Sequence, residues 1–399
     1  MNDSRDNADT DAEAFRFSLV RDDFLFRLQR RVGLIPTNGL GVVRRAIFWA
    51  LFAWLPIALL TWHAGRILPG TLGEPLLGHF GIQVRFLIAI PLFIVAEGVA
   101  QSLTTKLLPY FVESGLVATV DLPRFRAAIA ATARLRSASL PLIVIVALVI
   151  AFMTATQFTQ DLHQVSWALE GEGTAVHLDF GGWWFLYVGR LIFLTLLLSW
   201  LWRVALLFML LSRIARLPLA IVPTHPDRAG GLGFLARFPN MFVPVVLAIG
   251  SVLASGWAHD VVYHGAHVTT LRWEMAAFVV LVLLVFLSPL LVFAGPLGRA
   301  KKQGLLQYGA LVGRHGRLVR EKWIDGKPTH EAALLDAPEL GPVADTEAIY
   351  DAVTKMRPVP LSKTAVAPLL LAAVAPMIAV LAIEVPVVEV LKKLLTSLI

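Results

Sequence analysis

Seven runs of mostly apolar residues dominate the chain: Ala46 to His63, Val84 to Ser102, Leu140 to Phe158, Trp183 to Leu211, Met241 to Trp257, Trp273 to Leu297 and Ala365 to Ile383. Each is close to the ~20 residues that a helix needs to cross a bilayer core. The expected fold is therefore all-α, a polytopic transmembrane bundle of six or seven spans with cytoplasmic amphipathic helices. The seventh run carries Pro368 and Pro376. It reads either as a span or as a broken, re-entrant element whose freed backbone groups are met by protein or water.

Composition agrees, since 57% hydrophobic against 16% charged residues leaves too little charge to cover a soluble globule. The formal net charge is +7, but the basic residues cluster beside apolar runs. They read as orientation signals rather than a nucleic-acid surface, so a lipid bilayer is expected as partner and nucleic acid is not. With no cysteine in the chain, disulfides, thiolate catalysis, iron-sulfur ligation and cysteine zinc sites are excluded.

Arg44 and Arg45 precede the first run; Lys106, Arg124, Arg126, Arg134 and Arg136 follow the second. Arg213, Arg216, Arg228 and Arg237 follow the fourth, and many more lie between Arg299 and Lys363. Thr159 to Gly182 and Ala258 to Leu271 contain neither lysine nor arginine. This bias predicts a multi-pass protein of the inner (plasma) membrane with a cytoplasmic N-terminus. Residues 1–14 read as a disordered cytoplasmic tail, without the basic start and apolar core of a signal peptide. Residues 15–45 form an amphipathic segment that lies either on the membrane surface or against the protein's own cytoplasmic face. Residues 46–297 are the six-span bundle and 298–363 a cytoplasmic helical insertion. Residues 364–399 hold the seventh segment and an amphipathic tail.

Ionisable residues at membrane depth are costly and mark pairs or functional paths. Counting ~1.5 Å of rise per residue, Glu97 and Arg203 fall at one depth, roughly 10 Å from the inner ends of their spans, which predicts an ion pair. Arg190 lies deep below the outer end of the fourth run. It either pairs with a group near its depth (Arg85, Glu274 or Glu384) or faces a water-filled path and sets its charge preference.

Of ten histidines, His163, His177, His259, His264 and His267 fall in outer loops beside carboxylates or each other. They are the candidate ligands for a divalent metal, the one cofactor the sequence leaves open, or for a pH-sensing ring; the plainer reading is ordinary polar loop residues.

One polar stretch, Thr224 to Gly233, joins the fourth and fifth runs on the cytoplasmic side. His225, Asp227, Arg228, Gly230 and Gly231 are its candidate functional residues. Its glycines permit positive φ and suit a hinge, a gate or a corner whose N–H groups hold an anion; the plainer reading is that Asp227 and His225 cap or brace the short connection, with the glycines permitting tight packing. His225 oriented by Asp227 would alternatively act as a general base on a lipid headgroup, although Pro226 between them leaves their facing open. His225-Pro226-Asp227 is also the tripeptide of J domains, but a membrane helix precedes it here, so nothing follows from it. The expected function is a homo-oligomeric channel or transporter for a small ion or solute, with buried charges and prolines inside spans lining a polar path. An interfacial lipid enzyme and a membrane sensor of external pH or metal are the rivals.

Overall fold

The computed structural model describes residues 17–21, 24–36, 39–67, 75–138, 140–155, 166–170, 177–326 and 341–384. Among these residues eleven helices follow one another: α1 Phe24–Arg31, α2 Val42–His63, α3 Phe80–Glu113, α4 Leu122–Ser137, α5 Leu140–Ala155, α6 Phe180–Ala215, α7 Gly233–Tyr263, α8 Val268–Leu291, α9 Ala294–Trp323, α10 Gly341–Thr354 and α11 Lys363–Glu384. Six of them, α2, α3, α6, α7, α8 and α11, are long and apolar enough to cross a membrane. Helix α5 is apolar over its 16 residues. The rest of that run, to Phe158, lies outside the described residues. A two-residue antiparallel pairing, Leu169 with Leu178 and Glu170 with His177, is the strand structure in the described part.

Outward faces of α2 and α8 present Ile47, Leu51, Leu55 and Leu59, and Val280, Leu281, Leu284 and Leu291. Lipid would cover them, because exposing so much contiguous apolar surface to water is unfavourable. For description, the end of the bundle that carries the 216–232 connection is called lower, and the end that carries His79 and His259 upper.

Helix α11 resolves the ambiguity of the seventh run. It passes Pro368 and Pro376 without a break and packs mainly along α7, with further contact to α8. Its approach leads in from the lower end, where Arg357 bonds to the 216–232 connection, and it ends at the top, where the Glu384 carboxylate accepts from the N–H of Val268 at 2.6 Å. It therefore traverses the whole bundle rather than re-entering. Small residues explain its fit: the backbone of Ala373 lies against Gly250 of α7, so the two helices approach closely.

Two spans begin alike. Helices α3 and α6 both open with one α turn, Phe80–Gln83 and Phe180–Trp183, then widen into π turns over Val84–Ala89 and Trp184–Gly189 before continuing as α-helix. In α3 a cause is visible: Pro91 has no N–H to give the carbonyl of Leu87, and the ladder relaxes just before it. In α6 the Asp179 carboxylate caps the first turn through the N–H of Gly182 at 2.7 Å. The π stretch of α6 ends at Gly189, which lies under the ring of Phe86 from the π stretch of α3. A Cβ there would clash with the tip of that ring, at Cζ, and Phe86 is fully buried. Gly189→Ala is expected to cost about 1–3 kcal/mol by overpacking. Gly256→Ala, where nothing lies within 4 Å of the new Cβ, should leave the melting temperature in detergent unchanged or raise it. Equal melting temperatures for the two variants would refute the tight contact.

The segment before α2 packs on the protein itself. Phe17, Leu19, Val20, Phe26, Leu34 and Ile35 are buried, while Arg21, Arg27, Arg30 and Arg31 are exposed. Ser18 ties it to α3 and α4: its hydroxyl donates to Gln101 and its carbonyl accepts from Arg136.

Candidate functional site

Three places carry polar chemistry, and the first lies at membrane depth. Glu97 of α3 accepts from Arg203 of α6 at 2.8 Å and, through its other oxygen, from Arg45 of α2 at 2.6 Å. All three are buried. The Glu97–Arg203 pair expected from depth is present; Arg45 was read only as an orientation signal. Because α2 begins at Val42, before the apolar run, Arg45 sits in its first turn and turns inward while Arg44 stays exposed. Further partners spread the guanidinium charge of Arg45, whose Nε donates to Gln29 of α1 and whose Nη1 reaches the carbonyl of Leu40. Arg203 lies over the Trp200 ring at 4.7 Å, and that indole donates to the carbonyl of Phe93 at 3.0 Å. One carboxylate thus joins three spans, against two guanidiniums.

The second place is at the upper end, where the π turns widen the gap between α3, α6 and α7. A cavity of about 280 Å³ is lined by His79, Ile82, Arg85, Phe185, Ser255, His259 and Asp260, among others. A neighbouring cavity of about 540 Å³ shares Arg85 and adds Arg190 with an apolar wall of Phe193, Leu194 and Leu197. Arg85 is held over the rings of Phe185 and Phe193, at 5.5 and 5.6 Å from their centroids. Of the groups near Arg190 in depth, Glu274 accepts from the indole of Trp257 at 2.9 Å and Glu384 caps α8. Arg190 instead shares a cavity with Arg85. From the sequence Arg85 reads only as a possible partner of Arg190, and Asp260 only as the carboxylate beside His259.

The outer histidines divide. His79 stacks on His259 with ring centroids 5.3 Å apart, and His264 meets His259 edge-on at 5.4 Å. His267 turns away to Glu384, at 3.1 Å. The spacing of His264 and His267 had placed them together; the bend at Gly265, with φ of +65°, sends them to different partners. Among the described residues no three histidine or carboxylate side chains gather as a metal site. His163 and the side chain of His177 lie outside the described residues.

The third place is the turn from Thr224 to Gly233. Positive φ occurs at Arg228 (56°), Gly230 (64°) and Gly231 (92°), curling the chain around the Asp227 side chain. Its Oδ1 accepts from the N–H groups of Ala229 at 2.7 Å and Gly231 at 3.2 Å, and its Oδ2 from that of Gly233 at 2.7 Å. The N–H groups that would hold an external anion are thus turned onto an anion of the chain itself. His225 and Asp227 do face each other across Pro226, with Nδ1 and Oδ1 2.9 Å apart. Partial burial pushes the Asp227 carboxyl up, but the three N–H donors and His225 outweigh it and hold the group below the usual carboxylate value. From the 355–362 connection, Arg357 donates to the carbonyls of Asp227 at 3.0 Å, Arg228 at 2.7 Å and Leu361 at 2.7 Å, which clamps the turn to the start of α11.

Gly230 and Gly231 separate on packing. A Cβ on Gly230 would overlap Ile221, whereas one on Gly231 meets Leu116 at an ordinary 3.4 Å. Both substitutions carry the cost of positive φ, about 1–2 kcal/mol. Gly230→Ala is expected to lose roughly a further 1–3 kcal/mol by overpacking. Thermal unfolding should rank it clearly below Gly231→Ala, and the reverse order would refute the packing account. No family model, curated protein or solved structure matches this chain.

Proposed function

We propose that the protein moves a small charged or polar solute across a membrane, as a transporter or channel, with the lower end in the cytoplasm. The lysine and arginine bias supports that orientation. The observation that carries the reading is the pair of adjoining upper cavities that share Arg85, opened where two spans relax into π turns at the same level. Widened turns of this kind frequently accompany functional sites. Below the cavities, the buried Arg45–Glu97–Arg203 link joins three spans. An anchor has no need of cavities lined by charged residues at one end and a buried ion cluster near the other.

The geometry favours transport over headgroup chemistry at His225. The Asp227 oxygens serve three backbone donors as well as His225, which gives this carboxylate a role in shaping the turn. Purified protein in liposomes is the test, challenged with labelled inorganic ions and small polar solutes. The expected result is uptake of at least one of them above empty liposomes, lowered tenfold or more in Arg85→Gln. Uptake at the background level for every solute removes the transport reading.

A further inference from the structure

We propose that the corner between α1 and α2 at the lower end binds a phospholipid with an anionic headgroup, its phosphate among the arginines there and one acyl chain along α2. The inference stands apart from the transport reading, since it needs a bilayer but no flux.

Helix α1 turns one face to the protein and another outward. Phe26 and Gln29 are buried, and Gln29 accepts from the Nε of Arg45, which ties the helix to the first turn of α2. The connection returns tightly, with Gly41 against the backbone of Leu34 and Ile35. Arg27 and Arg31, four residues apart, share the outward face, and Arg30 lies at its edge; all three are exposed. Leu28 and Val32 extend that face with exposed apolar side chains. On α2 the exposed Arg44 continues the basic group beside the equally open Val43.

The side chains of Arg27, Arg30, Arg31 and Arg44 make no hydrogen bond or ion pair among the described residues. Arg45 gives the contrast, because it turns inward to Glu97. From Arg44 an apolar groove of about 570 Å³ runs up the outer face of α2 over Ile47, Phe48, Leu51, Phe52 and Leu55. Two of its residues, Phe48 and Phe52, stack with ring centroids 5.7 Å apart. At ~1.5 Å of rise per residue the stretch from Arg44 to Leu55 covers roughly 16 Å, about half of the ~30 Å hydrocarbon core. That is the depth of one leaflet. Cations at the bilayer edge and an apolar groove one leaflet long match the two ends of a phospholipid.

Charge and polarity select among occupants. A water-soluble polyanion, such as nucleic acid or an acidic protein, would satisfy the arginines but leave Leu28, Val32, Val43 and the groove uncovered. A zwitterionic lipid would bring a second cation up to four guanidiniums. An anionic headgroup meets no such repulsion, and guanidinium and phosphate form charge-assisted, bidentate hydrogen bonds.

The experiment is native mass spectrometry of purified full-length protein released from detergent, after equal additions of phosphatidylglycerol and phosphatidylcholine with the same acyl chains. Phosphatidylglycerol should be retained roughly tenfold over phosphatidylcholine. The combined Arg27→Gln, Arg31→Gln and Arg44→Gln variant should retain the two lipids about equally. Removing the same number of charges from α9, in Arg299→Gln, Lys302→Gln and Arg317→Gln, should leave the preference intact. All six side chains are exposed, and melting temperatures without added lipid check that both variants keep the fold. Equal retention of the two lipids by the wild-type protein overturns the proposal, and so does an equal loss in both variants, which would reflect net charge alone. Displacement of phosphatidylglycerol by an equal concentration of inorganic phosphate also overturns it, as it would mark a phosphate site without a chain. The chain has no cysteine, so Leu51→Cys reports cleanly on the remaining occupant. Disulfide-linked dimers of that variant in liposomes would place a second copy in the groove and overturn the lipid site.

Discussion

Glu97→Gln is expected to destabilise the protein by about 3–5 kcal/mol, the range for removing one partner of a buried ion pair. It should do so more than Arg203→Gln. The reason is a count of buried charge. As folded, one carboxylate stands between two guanidiniums, at 2.6 and 2.8 Å. Removing the carboxylate leaves two like charges in the low-dielectric interior, each having lost its counter-ion. Removing Arg203 leaves the Arg45–Glu97 pair balanced and forfeits one charge-assisted hydrogen bond and the stacking on Trp200, about 2–4 kcal/mol at most. Thermal unfolding by fluorescence-detected gel filtration, in one detergent and at one pH, reads the order. A melting temperature for Arg203→Gln at or below that of Glu97→Gln would mean that the three groups do not act as one charge cluster.

That cluster also shows where sequence reading reaches its limit. Glu97 and Arg203 are found together by counting rise along two helices that run the same way, because depth is a one-dimensional quantity that a sequence carries. Arg45 escaped because a lysine or arginine just before an apolar run serves equally well as an orientation marker. Only the true helix start, one turn earlier at Val42, shows that it faces inward beside Gln29. The spans were legible for the same one-dimensional reason, and the continuity of α11 was not. Two prolines weaken a helix in isolation, but Gly250 of α7 lets α11 pack closely at Ala373 and Pro376. The upper cavity depends on π turns that no periodicity announces. One signal was available, the Phe-Gly pair at 80–81 and again at 180–181, each opening a span that widens a turn later.

The turn at Asp227 makes the second large effect, and its pH dependence has a definite sign. Asp227→Asn keeps the shape of the side chain but offers one acceptor oxygen in place of two. If the amide oxygen takes the N–H groups of Ala229 and Gly231, the amide nitrogen must face the N–H of Gly233, where the carboxylate now accepts at 2.7 Å. Two donors then oppose each other. The turn has little room to adjust, because Arg357 holds the carbonyls of Asp227 and Arg228 from behind. A loss of about 2–4 kcal/mol is expected, the worth of one or two hydrogen bonds to a charged acceptor. The carboxyl is held below its ordinary value in the folded protein, so the folded state prefers it ionised more than the unfolded chain does. Its stabilisation is complete above the ordinary carboxylate value and is lost as the pH falls through the lower, folded one. The wild-type protein should therefore lose melting temperature between neutral pH and the acid range, and Asp227→Asn should lose less over the same interval, the two curves converging at low pH. Parallel curves would show that the carboxylate is not what holds this turn.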